Sequence, residues 1–422
     1  MTASDTKTGF LSAGHLPTLI AALLYFDVSF MVWVVLGPLA PFLRDDLHLT
    51  AAQQGLVVAV PLLGGSFFRP ILGMLGDRIG QRRTGLVGLC LTIVPLAIGW
   101  SGPASLYQLY AVGVMLGIAG ASFAVALPLA SRWYPPEHQG VVLGIAGAGN
   151  SGSLLATLFA PRLAERFGWT QTLGLAILPV LVVTVLFVLL AKDSPARRRA
   201  PSWGEYAAVL AEPDTFWFAF LYGLTFGGFV GFTSFLTTFF REQYQVSRVS
   251  AGDFTTLVVI AGSFLRPVGG RIADRIGGYR LLTGLLAAIG ACMVTVASLP
   301  PLPVVLPVLF VALGLLGMGN GAIFQLVPQR FADRIGIVTG VVGAAGGLGG
   351  FFLPSILGFS RGMTGSYRSG LLLLALVFFA GTLALLELGV RWSRRWEPAT
   401  VRQSGIFCYR LAVRRLLGEE SA

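Results

Sequence analysis

Two arginines stand where arginines are expensive. Arg69, in Gly65-Ser-Phe-Phe-Arg69-Pro70, and Arg266, in Gly262-Ser-Phe-Leu-Arg266-Pro267, each lie inside an apolar stretch, 197 positions apart. The 19 residues that start at Gly65 and at Gly262 align without a gap, and 11 of them are identical. An arginine at the centre of a membrane helix costs about 2.5–3.5 kcal/mol on insertion scales. Each sits eight residues before an acid, Asp77 or Asp274. Along a helix that is about 12 Å, deep in a hydrocarbon core roughly 30 Å thick. A guanidinium offers a planar fork of donors that matches a planar oxyanion. If two such forks converge on a pseudo-twofold axis, they make an anion site. The competing reading is a buried pair, with Asp27 or backbone carbonyls satisfying one arginine. There is one obvious mid-span acid for two equivalent arginines, so the anion site is the better reading.

Two further polar groups fall inside apolar stretches. Asp27 lies in Leu24-Tyr-Phe-Asp27-Val-Ser29, and a carboxyl near mid-span needs a partner, a cavity or a proton. Asn150 lies in Gly140-Val-Val-Leu-Gly144-Ile-Ala-Gly147-Ala-Gly149-Asn150-Ser151-Gly152, and its amide is a candidate donor to an anion. Glycine at every third or fourth position there is first of all a packing face. The stretch Gly343-Ala-Ala-Gly346-Gly347-Leu-Gly349-Gly350-Phe351-Phe352-Leu-Pro354 has the same character.

The elements that must hold these groups are apolar helices. Of 422 residues 55% are hydrophobic and 12% charged, against about 25% charged in soluble domains. Twelve apolar segments fit at 17–43, 55–76, 85–101, 106–131, 140–161, 171–191, 215–240, 251–273, 280–298, 303–328, 336–358 and 367–390. The expectation is an all-α polytopic membrane protein, not a β-barrel, whose strands would alternate. The 55 glycines suit close helix packing. The expected organisation is an N-terminal tail at 1–16, a six-helix bundle at 17–191, a linker at 192–214, a second bundle at 215–390 and a basic tail at 391–422. The repeat is parallel, which puts a substrate near midplane between the halves.

The net charge of +11 is explained by its placement. With both termini cytoplasmic, 21 Lys and Arg fall on the cytoplasmic side and 7 in the outer loops. This is the positive-inside pattern, and it fixes the orientation in a cytoplasmic membrane without invoking nucleic acid. The first apolar run, about 27 residues, is too long for a cleaved signal peptide. Cys90, Cys292 and Cys408, like His15, His48 and His138, show no disulfide or metal spacing, so no metal and no cofactor is expected.

The charged turn Gly73-x-x-x-Asp77-Arg78-x-Gly80-x-Arg82-Arg83 resembles the signature loop between helices 2 and 3 of the major facilitator superfamily, and Asp274-Arg275-x-Gly277 resembles its counterpart between helices 8 and 9. The resemblance implies a gating latch at Gly73, Asp77, Arg78, Asp274 and Arg275. An ordinary topogenic loop would explain the arginines but not the Asp and Gly spacing. The glycine stretches, around Gly147, Gly149 and Gly152 and around Gly343, Gly346 and Gly347, look like the two nitrate signatures of the nitrate/nitrite porter family within that superfamily. The resemblance runs through nearly all twelve segments. It implies the major facilitator fold in two pseudo-symmetric six-helix halves, and one anion held between Arg69 and Arg266. It also implies contacts from Asn150, Tyr222, Phe226 and Phe123, with a looser match at Phe324. Many of these aromatic residues would equally suit core or lipid contact.

Nitrate and nitrite, planar and monovalent, suit guanidinium forks between aromatic walls. The resemblance, not the spacing, separates them from other small anions. The expected function is secondary transport of nitrate by alternating access, with proton symport through Asp27 as the expected mode, because the Asp27 stretch looks more like the symporter-type branch; the alternatives are exchange of nitrate for nitrite, which needs no titratable group, and transport of another small anion. The expected partners are therefore nitrate, nitrite, protons and the lipid bilayer, in a protein expected to be a monomer. A membrane sensor would normally carry a signalling domain, and an enzyme would need a nucleophile–base or metal constellation that the chain does not display.

Overall fold

The computed structural model describes residues 10, 13–103, 105–135, 138–195, 202–331 and 334–406. Among the described residues there is helix and no strand. Twelve helices are long and apolar enough to cross a membrane: Leu16–Leu47, Ala51–Ile79, Gln81–Trp100, Leu106–Ser131, Gln139–Phe167, Trp169–Leu190, Pro213–Tyr244, Arg248–Ile276, Gly278–Ala297, Leu302–Arg330, Ile337–Thr364 and Arg368–Arg395. They are called spans 1 to 12. Several run a turn or more past their apolar stretch because side chains finish them. Thr50 and Gln53 form a capping box at the start of span 2, worth about 1 kcal/mol for the cap alone. Ser105 and Ser247 cap spans 4 and 8.

The repeated turn has one geometry in both halves. Gly80 ends span 2 at φ +98° and Gly277 ends span 8 at φ +90°. Only glycine takes such a φ without strain, so the glycine of the Asp-Arg-Ile-Gly sequence reverses the chain there. The linker adds a short helix, Trp203–Leu210, and a terminal helix, Pro398–Gln403, follows span 12.

Both ends of the described chain lie on one face, called the terminal face. The two halves meet along spans 2 and 11, spans 5 and 8, and spans 1 and 7. On the opposite face they are tied by ion pairs across the interface: Arg44 with Glu242, Arg248 with Asp45 and Glu165, and Arg162 with Asp253. Glu242 also accepts from the Tyr367 hydroxyl at 2.7 Å. On the terminal face Asp77–Arg132, at 2.5 Å, and Arg330 with Glu212 and Asp214, both at 2.6 Å, stay within one half.

The glycines report the same asymmetry. Toward the opposite face Gly55 lies against Pro354 and Gly358, and Gly252 against Thr157 and Pro161. Toward the terminal face a Cβ added at Gly140, Gly144, Gly147 or Gly340 would meet nothing within 4 Å. Among the described residues the ion pairs between the halves all lie at the opposite face.

Candidate anion site

Arg69 is held by backbone and rings. It is 2% exposed, although span 2 carries it as one continuous helix through Pro61 and Pro70. Its Nε donates to the Gly120 carbonyl at 3.0 Å, and its Nη1 donates to the Gly343 carbonyl across the interface. Its Cζ lies 4.9 Å from the Trp33 ring, 5.2 Å from Phe226 and 5.5 Å from Phe123. Such contacts stabilise a desolvated cation by about 2 kcal/mol. Its Nη2 is buried without a partner.

Arg266 is held more loosely. Span 8 breaks at Leu265 and a new helix starts at Arg266, with Pro267 in its first turn. Pro at that position gives up a donor the helix would not use. The Arg266 Cζ lies 5.3 Å from the Phe324 ring, and its Nη1 is buried without a partner. The two guanidinium groups are close enough to repel one another, and the Tyr222 hydroxyl faces both without a well-formed hydrogen bond to either. Among the described residues neither arginine is in an ion pair with a carboxylate.

The aromatic candidates form one cluster around them. Tyr222 stacks on Phe226 with centroids 5.0 Å apart, and Phe324 meets Tyr222 edge-on at 5.1 Å. Phe123 lies 6.2 Å from Phe324, which brings a ring of the first half to one of the second. Gly346 sits against the rings of Tyr222 and Phe226, where any side chain would collide. Gly343 faces Phe123, and Gly347 lies against Ser66, whose hydroxyl donates to Ala344 O at 2.7 Å. These three glycines let span 11 approach the arginine pair.

Span 5 is arranged differently. It breaks into a 3-10 turn at Ala148–Ser151, and Asn150 lies on that turn, buried, with Oδ1 unpartnered. Gly149 and Gly152 pack directly on the span 1 backbone at Asp27. The half-buried Asp27 accepts from the Ser151 hydroxyl at 2.6 Å and faces the Gly152 N–H, at the start of the helix Gly152–Phe167. Asp27 thus caps a helix inside the membrane, where the N-terminal dipole favours a negative charge. It does not pair with either arginine.

The two charged turns also differ. Asp77 binds Arg132 and accepts from Gln81 at 3.4 Å. Asp77 and Arg78 face Tyr206 of the linker helix, whose phenol is pushed above its ordinary value by burial and by the Asp77 carboxylate, with Arg78 opposing. Gly73 faces Ala124 of span 4. Asp274 and Arg275 are exposed and make no ion pair among the described residues. Their turn is instead covered by the segment after span 12, where Tyr279 N donates to Ser404 O at 3.0 Å.

Sequence reasoning did not single out Trp33. Its ring lies over Arg69 and its Nε1 donates to Pro61 O at 2.7 Å. A tryptophan in an apolar run carries no mark that separates this role from lipid contact. Nor do the Gly120 and Gly343 carbonyls, because every residue has one.

Residues 21–354 match the model of the Major Facilitator Superfamily. The chain is 34% identical over 377 residues to a nitrite extrusion protein of Bacillus subtilis, covering 89% of this chain and 94% of that protein. It is 35% identical over 368 residues to a probable nitrate/nitrite transporter, NarK2, of Mycobacterium tuberculosis, covering 86% and 93%. It is 30% identical over 368 residues to a probable nitrate transporter, NarT, of Staphylococcus carnosus, covering 85% and 92%. With a family match across most of its length and relatives at this identity, the chain belongs to the nitrate/nitrite porter family of the major facilitator superfamily, a family of membrane transporters rather than enzymes.

Proposed function

We propose that the chain moves nitrate, and nitrite with it, across the cytoplasmic membrane by alternating access, with one anion held between Arg69 and Arg266. The observation that carries this reading is the pair itself. A buried guanidinium, Arg69, and a half-buried one, Arg266, face one another with a spare buried donor each and no carboxylate between them among the described residues. An anion with planar oxygens relieves their repulsion and takes up both donors. Asn150 reaches the anion from span 5, and the rings of Phe123, Tyr222, Phe226 and Phe324 restrict it to a thin slot.

The terminal face is the cytoplasmic one in this reading, because most of the Lys and Arg lie there. The arrangement is then open to the cytoplasm, and opening outward requires breaking Arg44–Glu242, Arg248–Asp45 and Arg162–Asp253. Asp77, Arg78 and the turn after Gly73 act as the cytoplasmic latch.

Inward movement of one negative charge against 100 mV costs about 2.3 kcal/mol. Proton symport through Asp27 supplies that coupling, since Asp27 sits at the break of span 5 beside Asn150. The helix cap favours a second reading. Asp27 engaged by the Ser151 hydroxyl at a helix start has a structural role that exchange of nitrate for nitrite, which needs no titratable group, would leave undisturbed.

The central test is nitrate binding to the purified protein. Arg69→Lys and Arg266→Lys each lose the spare guanidinium donor and should weaken binding about 100-fold, the worth of a strong charge-assisted hydrogen bond. Normal binding in both variants would remove the two-arginine site. For coupling, nitrate uptake into proteoliposomes is measured with and without a pH gradient. Asp27→Asn should abolish the response to the gradient, and an unchanged response assigns the protein to exchange.

A further inference from the structure

Asn320 lies on span 10, in Gly317-Met-Gly319-Asn320-Gly321-Ala-Ile-Phe324. Its side chain is 1% exposed, and neither Nδ2 nor Oδ1 has a hydrogen-bond partner in the protein. A carboxamide enclosed in this way, with both ends unpaired, is destabilising unless something else occupies its bonds.

Its neighbours fix where it points. Gly319 faces Thr225 of span 7, and Gly321 faces the Arg266 carbonyl of span 8. Leu316 lies against Gly228 of span 7 and Gly317 against Gly262 of span 8, and Asn320, one turn on from both, projects between those two spans. Phe324, one turn along on the same face, has its ring against Tyr222 and Arg266. Asn320 therefore overlooks the anion site from the closed side.

The other half supports this placement. Gly117 lies against Gly64 and Gly65, and Gly317 lies against Gly262, so the two are counterparts. Three residues on, Gly120 corresponds to Asn320. In the first half the corner beside Gly120 is filled by the Trp33 indole, which is hydrogen-bonded to Pro61. In the second half the matching position carries a carboxamide, and its bonds are open.

We propose that Asn320 is a further substrate-binding residue that selects nitrate over nitrite. The inference rests on the two-arginine reading. The spare donors of Arg69 and Arg266 engage two oxygens of a planar anion. Nitrate has a third oxygen and nitrite has none, so a neutral donor on the closed side bonds nitrate alone. Asn320 Nδ2, buried and without a partner, supplies that donor.

The test is equilibrium binding of nitrate and of nitrite to the purified full-length protein, with thermal stability measured alongside. Asn320→Leu should weaken nitrate about 10-fold, the worth of one hydrogen bond, and change nitrite by less than about twofold. Its thermal stability should hold or rise, because an unpartnered polar group has been removed. Asn320→Ser keeps a donor and should retain part of the preference, which keeps the test decisive if the leucine does not fit. An unchanged nitrate-to-nitrite ratio in the folded variants, beside a wild type that binds nitrate, overturns the role of Asn320 alone. A wild type that binds no nitrate overturns the underlying reading instead.

Discussion

The two halves repeat one sequence pattern, and they hold it in different ways. Arg69 and Arg266 occupy equivalent places, but Arg69 is enclosed by three rings and two carbonyls and Arg266 has one ring and a helix break. Arg132 and Arg330 end the equivalent spans 4 and 10. Arg132 binds Asp77 of the repeated turn, whereas Arg330 turns away to Asp214 and Glu212. Asp214 in turn accepts from the indoles of Trp392, at 2.8 Å, and Trp396, at 3.1 Å, which stack on one another at 4.6 Å. The first half thus ties the acid of its charged turn into the bundle, and the second ties its helix ends together and leaves Asp274 without an ion pair among the described residues. Symmetry in sequence fixes where groups sit. The partners each half supplies decide which become rigid and which stay adjustable.

Three measurements would break or sharpen this contrast. The largest effect is expected at Asp214. Asp214→Asn keeps the shape but removes the charge that three donors share. Hydrogen bonds to charged groups contribute about 1.5–3 kcal/mol, so thermal unfolding of the purified protein should move down by several degrees, and an unmoved curve would refute the clamp. Next come the arginines. Arg69→Lys should lower thermal stability as well as anion binding, because the buried carbonyls of Gly120 and Gly343 lose their donors. Arg266→Lys should lower binding with stability nearly unchanged. Equal losses of stability would show that the two sites are equally structural. The smallest effect is at the latches. Asp77→Asn should slow nitrate uptake about tenfold by freeing Arg132, and Asp274→Asn should change it less than twofold. A reversed order would place the working latch in the second half.

Much of the site was legible in the sequence because the repeat itself is informative. A single buried arginine has many explanations, while a second at the same depth points to a shared ligand. Phe123, Tyr222, Phe226 and Phe324 do gather around the pair. The twelve spans followed from apolar length alone. What the sequence hid was pairing. Asp27 stood out as an intramembrane acid, but its role as a cap depends on the break of span 5 at Ala148–Ser151, and nothing local separates that stretch from the continuous helix of span 11. The acceptors of Arg69 are backbone carbonyls, which no residue type announces. Asp77 and Asp274 look alike in one dimension, and only docking of the linker helix and of the segment after span 12 makes them different.

The open flank of Gly140, Gly144 and Gly340 has a consequence for how this protein tolerates change. A Cβ added there meets nothing within 4 Å, so Gly→Ala at these positions clashes with nothing in the arrangement described and gains the better helix propensity of alanine. In the proposed alternating-access cycle the cost would appear only if the halves close on that side. Such positions are silent in any screen for expression and exposed in any screen for turnover. They are also natural places for a wedge. One added side chain would hold the protein in its present arrangement, at no expense to the fold, for as long as an experiment needs it there.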